Sequence, residues 1–197
     1  MRSRTRMDRR TLVQLLGIGA VASPVSRALS GSATAPFRLR YVLASSLYGT
    51  TKLEEILPEV QKVGARHIDI WPRPHADQRE QIKAMGDERF AELLRQHKVE
   101  LGVVTCYDLG PFGLKDEMRF ARKFGAKMLI TGSHGPKDLA GAECKRAVQQ
   151  FVEQMKPHVA AAEEMGLTIG IENHAGALVS TPDSLRSLGE LAHSPRL

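Results

Sequence analysis

The sequence alternates short apolar segments with longer amphipathic ones five times, with Gly or polar residues between them. The short segments have the composition of buried strands, and the longer ones carry apolar residues at helical spacing. This alternation predicts a parallel sheet covered by helices. Two α/β architectures fit it equally well: an open five-stranded doubly wound sheet, or about five of the eight units of a (β/α)8 TIM barrel. The predicted strands cover residues 39–45, 66–71, 100–106, 127–131 and 168–173.

The predicted helices follow these strands in turn. Thr51 and Glu54 have the spacing of a capping box and predict the start of the first helix. Thr181, followed by Pro182, predicts the start of the fifth. Pro157 lies inside the long fourth helix and predicts a kink or a fresh helix start, because proline lacks a backbone donor. The other helices are predicted at residues 87–96 and 115–124, and the fifth is expected to bury Leu185, Leu188 and Ala192.

The positive charge of the sequence is concentrated in its first 35 residues. The formal net charge is +6, but residues 1–35 contain six Arg and a single Asp, so the remainder is close to neutral. The remainder therefore gives no indication of binding to nucleic acid. Residues 36–197 are predicted to form one domain. Its two cysteines, Cys106 and Cys144, are expected to be buried free thiols, since one pair is too few for a disulfide framework.

Residues 1–35 have the layout of an export signal. An Arg-rich start precedes an apolar run that is too short to span a bilayer, and small residues follow. The pair Arg9-Arg10 favours a twin-arginine signal. A plain secretory signal and a start codon placed too early are the alternatives. The preferred interpretation predicts a periplasmic or extracellular protein without a stable membrane anchor.

The last predicted strand ends in Glu172, Asn173 and His174. If residues 168–173 are extended, Ile169 and Ile171 share one face and Glu172 lies on the other. The isoleucine face is expected to pack against helices. Glu172 then lies on the inner face at the carboxyl end of the strand, where α/β proteins place their active sites.

The run AAAEEMGLTIGIENHAG, residues 160–176, resembles the xylose isomerase-like TIM-barrel family of sugar phosphate isomerases and epimerases. The resemblance implies a divalent metal at the barrel mouth, Mn, Mg, Co or Zn, with Glu172 as one ligand and as the catalytic acid/base. It also implies further ligands from the sixth, seventh and eighth strands, which follow the five predicted here. On this resemblance the chain is interpreted as an incomplete (β/α)8 barrel.

The other predicted strand ends are rich in hydroxyl, aromatic and imidazole groups, which are typical of a sugar pocket. Trp71 could stack on a sugar or fill the core, and the sequence favours neither. On the same strand, Asp69 is expected to face inward, either as a hydrogen-bonding carboxylate or, by preference, in a salt bridge to a neighbouring strand residue. His67 is interpreted as structural. The predicted substrate-binding residues are Trp71, His75, Tyr107, His134, Asn173 and His174.

These features lead to one preferred function and two alternatives. The preferred function is a metal-dependent sugar (phosphate) isomerase or epimerase that transfers a proton alpha to a keto-sugar carbonyl. A non-catalytic carbohydrate-binding barrel is the first alternative. An endonuclease IV-like branch of the same superfamily is the second, although the near-neutral body and the export signal disfavour it. The expected partner is a small sugar or sugar phosphate and not a nucleic acid, and a homo-oligomer is left open.

Overall fold

The computed structural model describes residues 39–108 and 110–197, and the predicted export signal at residues 1–35 lies outside them. The described residues contain one five-stranded sheet in which every neighbouring pair is parallel. The strands follow one another in chain order. They are β1 (Val42–Ala44), β2 (His67–Ile70), β3 (Glu100–Thr105), β4 (Met128–Gly132) and β5 (Thr168–Glu172).

This strand order separates the two architectures that periodicity leaves open. A doubly wound sheet reverses its strand order at a switch point, whereas here each strand pairs with the next from β1 to β5. Sequential order is the arrangement in a TIM barrel. The predicted α/β fold of TIM-barrel type, with about five strand–helix units, is therefore confirmed.

Helices connect the strands and cover one face of the sheet. A short 3₁₀ turn (Ser45–Tyr48) follows β1. The helices are α1 (Leu53–Lys62), α2 (Gln78–Met85), α3 (Asp87–His97), α4 (Lys115–Lys123), α5 (Gly141–Met165) and α6 (Pro182–Leu191). None of those within residues 39–108 and 110–197 has both the length and the apolar character needed to cross a bilayer.

Two helix predictions are wrong in detail, and one is narrowed. Helix α2 is missed, since Ile82 is its one buried aliphatic residue and makes no apolar stripe. The expected capping box at Thr51 does not form. Lys52 precedes α1 instead, and the backbone N–H of Leu53 donates to Oε1 of Gln81, at 2.8 Å. Finally, of the two outcomes expected at Pro157, the fresh helix start does not occur, because α5 continues through this residue.

The predicted start of the last helix is confirmed, but its buried face is confirmed only in part: Leu188 is half-buried against the core and Ala192 is half-buried, whereas Leu185 is not buried. Thr181 and Ser184 form a reciprocal capping box with Pro182 in the first turn. Leu185 remains 42% exposed, whereas Ser184 and Ser187 are buried. The buried hydroxyl of Ser184 is satisfied within the capping box, where it donates to the carbonyl of Thr181 and accepts from the backbone N–H of Thr181.

The hydrophobic core lies between the helices and the outer face of the sheet. Ile68 and Ile70 of β2, and Ile169 of β5, are each at most 1% exposed. Burial of side chains of this size contributes about 1.5–3 kcal/mol each. Cys106 and Cys144 are buried there as free thiols, as predicted. The hydrophobic core therefore covers the outer face of the sheet, and the inner face remains available for polar groups.

The edge of β5 that faces away from β4 makes a backbone hydrogen bond to the end of the sequence. The backbone N–H of Ile169 donates to the carbonyl of Arg196, at 2.8 Å. The sheet therefore extends its hydrogen bonding by one contact on the side of β5 that faces away from β4.

Candidate active site

A cavity of about 560 Å³ opens at the carboxyl ends of the five strands. Every strand, or the loop after it, contributes to its lining. Glu172 and His174 come from the end of β5, and Trp71 and His75 from the end of β2. The full lining is Ser46, Trp71, His75, Tyr107, Gly132, Glu172, His174 and Ala177.

Three of the lining rings pack together into an aromatic wall made of Trp71, His75 and Tyr107. The ring centroids of Trp71 and Tyr107 are 5.4 Å apart, with the planes tilted by 54°. His75 meets Trp71 edge to face at 5.7 Å. These distances lie in the range of favourable aromatic pairs. Trp71 is partly buried and lines the cavity, so the wall is fixed by packing while still reachable from the cavity.

Asp69 lies below this wall on the inner face of β2. Its Oδ2 accepts a hydrogen bond of 2.7 Å from the indole Nε1–H of Trp71. The hydroxyl of Thr105 donates to both carboxylate oxygens, at 3.0 and 2.9 Å. Burial raises the pKa of Asp69 to about 6, although the bonds from Trp71 and Thr105 act in the opposite direction. Asp69 faces inward as predicted.

The expected salt bridge of Asp69 is wrong. Among the described residues its partners are an indole and a hydroxyl, both neutral donors. Lys and Arg are almost never fully buried, so neutral donors are the partners that a buried inner face supplies. His67, one step deeper on β2, lies 3.6 Å from a carboxylate oxygen of Glu100 at the opposite end of the sheet, in line with a structural role.

A β-bulge between β2 and β3 sets the position of Thr105. Ile68 is paired with Leu101, but the next residue, Asp69, is paired with Val103, so Gly102 is an extra residue in β3. One extra residue changes which side chains face inward beyond it. The bulge therefore brings Thr105 to the same face as Asp69.

Glu172 ends β5 with an exposed side chain that lines the cavity. The alternation predicted for this strand is correct: a Cβ on Gly170 would contact Ile130 and Met128 of β4, on the inner face, while Ile169 is buried on the outer face. A second, smaller cavity of about 220 Å³ continues along the inner face from Glu172 to Asp69. The two carboxylates therefore line one continuous inner surface.

His174 is held at the cavity by the loop after β5. Its backbone N–H donates to the carbonyl of Val179, at 3.1 Å, and the N–H of Val179 donates to Oγ of Ser133, at 2.8 Å. The imidazole Nδ1 lies 2.8 Å from the carbonyl of Ala175. Because a carbonyl can only accept, Nδ1 carries the proton in this contact, and Nε2 of the neutral ring is left as an acceptor.

The structure places five of the seven predicted site residues around the cavity and two elsewhere. His134 is exposed and packs edge to face against Phe112 at 5.7 Å. Asn173 is exposed and does not line the cavity. Ser46, Gly132 and Ala177 also line the cavity, although they are not among the predicted site residues and carry no chemical pattern of their own. The predicted residues that do line the cavity are Trp71, His75, Tyr107, Glu172 and His174.

The donors present do not make a complete metal site. Within the described part of the chain, no three His, Cys, Asp or Glu side chains are grouped so as to hold a metal ion. Glu172 alone offers a carboxylate at the mouth of the cavity, and catalytic zinc sites use three protein ligands. The divalent metal implied by the resemblance therefore does not fit the described residues by themselves.

Comparisons with known proteins agree with this geometry. A profile of the xylose isomerase-like TIM barrel matches residues 57–197. Curated protein sequences gave no match. Among solved structures, the IOLI protein with a bound zinc atom superimposes with a TM-score of 0.63 at 15% identity, over 80% of this chain and 60% of that one.

Two further solved structures are similar. The probable 3-DHS dehydratase AsbF of petrobactin synthesis from Bacillus anthracis gives a TM-score of 0.63 at 17% identity, over 81% of this chain and 61% of that one. A D-tagatose 3-epimerase-like protein gives a TM-score of 0.58 at 19% identity, over 81% of this chain and 63% of that one. The chain thus spans about three-fifths of the length of these proteins, and identities this low establish the fold alone. Because the family profile matches most of its length, the chain belongs to the xylose isomerase-like TIM barrel family.

Proposed function

We propose that this chain carries the sugar-binding half of a metal-dependent sugar (phosphate) isomerase or epimerase. The observation that supports the proposal best is the joint lining of one cavity by the Glu172 carboxylate and the aromatic wall. The cavity volume of about 560 Å³ lies within the range of small-molecule sites. The D-tagatose 3-epimerase-like neighbour adds support at the level of substrate class.

The lining groups suit a polyhydroxylated ligand. The C–H faces of a sugar are apolar and can pack on the ring of Trp71, while its hydroxyls need hydrogen-bond partners. Nε2 of His174 can accept from a hydroxyl, and His75 adds a second imidazole to the lining. A sugar is therefore held by stacking and by hydrogen bonds together.

Glu172 is the proposed base. The C–H alpha to a keto-sugar carbonyl is a weak acid, so its removal needs a positioned carboxylate and stabilisation of the negative charge that develops. Glu172 ends a strand of the rigid sheet, which fixes its backbone at the cavity. Its exposed carboxylate is accessible to a ligand there.

The metal dependence in this proposal is supported by the zinc atom of the IOLI neighbour. Since the described residues do not form a complete metal site, Glu172 is proposed as one ligand, with the others supplied from outside residues 39–108 and 110–197. A metal so placed would supply positive charge near the developing oxyanion.

The test combines binding and exchange. Trp71 is the only Trp in the chain, so its fluorescence reports on this cavity alone. D-tagatose and D-fructose, titrated in the presence of Zn²⁺, are expected to change the emission. With the remaining metal ligands supplied, NMR in D₂O is expected to show exchange of the proton at C3 of D-tagatose.

The decisive variant is Glu172→Gln. It is expected to bind the sugar with a similar affinity but to lower the exchange rate about 100-fold or more. Glu164→Gln, at the exposed end of α5, is the matched control and should exchange at the wild-type rate. Sugar binding that persists when a chelator removes the Zn²⁺ would favour the non-catalytic carbohydrate-binding alternative. Retained exchange in Glu172→Gln would contradict the proposed base.

Export through a twin-arginine signal is proposed as well, on the basis of Arg9 and Arg10. Replacing both residues with Lys is expected to leave the protein in the cytoplasmic fraction of its bacterial host. Unchanged export would contradict this mode of transport.

A further inference from the structure

We propose that Asp69 is a positioning residue that holds the indole of Trp71 in the orientation required for sugar stacking. This inference rests on the proposed sugar site, because it assigns a role within that site. It concerns a residue that lines the inner face below the cavity and that the proposed chemistry does not use.

Trp71 and Asp69 are in direct contact. The indole N–H is the one polar group of the Trp71 side chain, and it donates to Oδ2 of Asp69 at 2.7 Å. The backbone of Trp71 is held separately, with its N–H donating to Oγ of Ser45 at 3.0 Å and its carbonyl accepting from the N–H of Arg79 at 3.2 Å. The backbone contacts fix the position of the Trp71 main chain, and the hydrogen bond to Asp69 fixes the orientation of its ring.

A carboxylate is costly to bury at the position of Asp69. The residue is 7% exposed, and its partners within the described chain are neutral. A buried carboxylate without a cation is unfavourable unless its hydrogen bonds compensate. A neutral residue of similar shape would avoid that cost, so a carboxylate here indicates a specific need for strong acceptors.

The bulge in β3 supports the same contact. The extra residue Gly102 brings Thr105 to the inner face, where its hydroxyl reaches both oxygens of Asp69. With both oxygens engaged, rotation of the carboxylate is restricted, and the acceptor for Trp71 has a defined direction. Thr105 therefore orients Asp69, which in turn orients Trp71.

The primary test needs no ligand and uses the full chain. The long-wavelength Trp band of the near-UV circular dichroism spectrum and acrylamide quenching of Trp fluorescence both report on Trp71 alone, since the chain contains no other Trp. Asp69→Ala is expected to weaken the Trp circular dichroism band and to increase quenching. Asp69→Asn keeps an acceptor oxygen and is expected to restore both signals. Unchanged signals in a folded Asp69→Ala variant would overturn the proposal.

A measurement on the unaltered protein covers the case in which Asp69→Ala does not fold. The single indole N–H gives one NMR cross-peak, and its exchange with water is expected to be slow. Exchange as fast as that of a free indole would show that the bond is absent in solution, and the proposal would fail.

A double-mutant cycle links the residue to binding. Asp69→Ala is expected to raise the Kd for D-tagatose, by calorimetry, about tenfold. In a Trp71→Phe background, where no indole N–H exists, the same change is expected to have little further effect. Full additivity of the two changes would contradict positioning. If the sugar does not bind at all, the proposed function fails, while the ligand-free signals still decide the role of Asp69.

Discussion

Gly102 of β3 lies so close to His67 of β2 that a Cβ at Gly102 would approach the Cβ of His67 to 2.8 Å. The neighbouring atom belongs to the start of a side chain and cannot swing away. Gly102 is also the extra residue of the bulge that places Thr105 opposite Asp69. The absence of a side chain at this position is therefore a requirement of the inner face.

Gly102→Ala is accordingly expected to destabilise the protein by about 1–3 kcal/mol, the usual cost of overpacking. Urea denaturation measures the change in the free energy of unfolding. Gly189→Ala in α6, where a Cβ meets nothing within 4 Å, is the control and is expected to stabilise by about 0.5–1 kcal/mol. Equal effects of the two changes would contradict the close approach.

Asp69 should make stability depend on pH. Burial raises its pKa to about 6 from an ordinary value of 3.8, so the folded state binds a proton more tightly than the unfolded state does. The stabilising contribution is fully present below pH 3.8 and is lost as the pH rises through 6. The loss amounts to about 3 kcal/mol, because a tenfold difference in proton affinity between the two states corresponds to about 1.36 kcal/mol.

Asp69→Asn removes this titration. Relative to the unaltered protein, the variant is expected to gain stability between pH 5 and pH 7.5, because the other titrating groups are the same in both. Thermal unfolding at both pH values provides the comparison. A constant difference in Tm across this range would show that Asp69 does not titrate there.

Both cysteines should be unreactive in the folded protein. Cys106 and Cys144 are 2% and 1% exposed. Burial, followed by the carboxylates of Glu117, Asp108 and Asp69, raises the pKa of the Cys106 thiol. Since the thiolate is the reactive species, labelling with a disulfide reagent is expected to occur only on unfolding.

The labelling rate is measured in increasing urea and compared with the rate of unfolding. Ala142→Cys, at an exposed position in the first turn of α5, is the positive control and should react at once. Rapid labelling of the unaltered chain without urea would show that one of these thiols is accessible.

Arg79 and Glu117 join α2 to α4. Nε and a second guanidinium nitrogen of Arg79 donate to the two carboxylate oxygens at 2.7 and 3.0 Å, and the guanidinium lies 3.8 Å from the ring centroid of Phe120. The two charged side chains are 21% and 13% exposed. Arg79→Lys keeps the charge but loses the second bond and the stacking, and is expected to cost about 1–2 kcal/mol.

Arg186→Lys is the matched control, because Arg186 forms an exposed pair with Asp183 at 3.4 Å. Its effect is expected to stay within about 0.5 kcal/mol. Chemical denaturation of both variants gives the comparison. A cost for Arg79→Lys no larger than that for Arg186→Lys would contradict the importance of the paired geometry.

The part of the cavity lining that lies on strands could be predicted from the sequence. Alternation along a strand is local, so the sequence places Glu172 on the inner face and Ile169 on the outer one. Loop residues have no such periodicity. His134 and His174 are equivalent in sequence as loop imidazoles, yet His134 packs against Phe112 while the bond from Val179 to Ser133 holds the loop of His174 at the cavity.

The sequence by itself determined the parallel α/β fold, the faces of the second and fifth predicted strands and the polar character of the strand ends, because periodicity and composition are properties of contiguous residues. The tertiary structure decided the strand order, the bulge at Gly102 and the partners of Asp69. Thr105 lies 36 residues from Asp69, and their bond depends on the register between two strands. Register follows from packing across the whole sheet, which no short segment of the sequence contains.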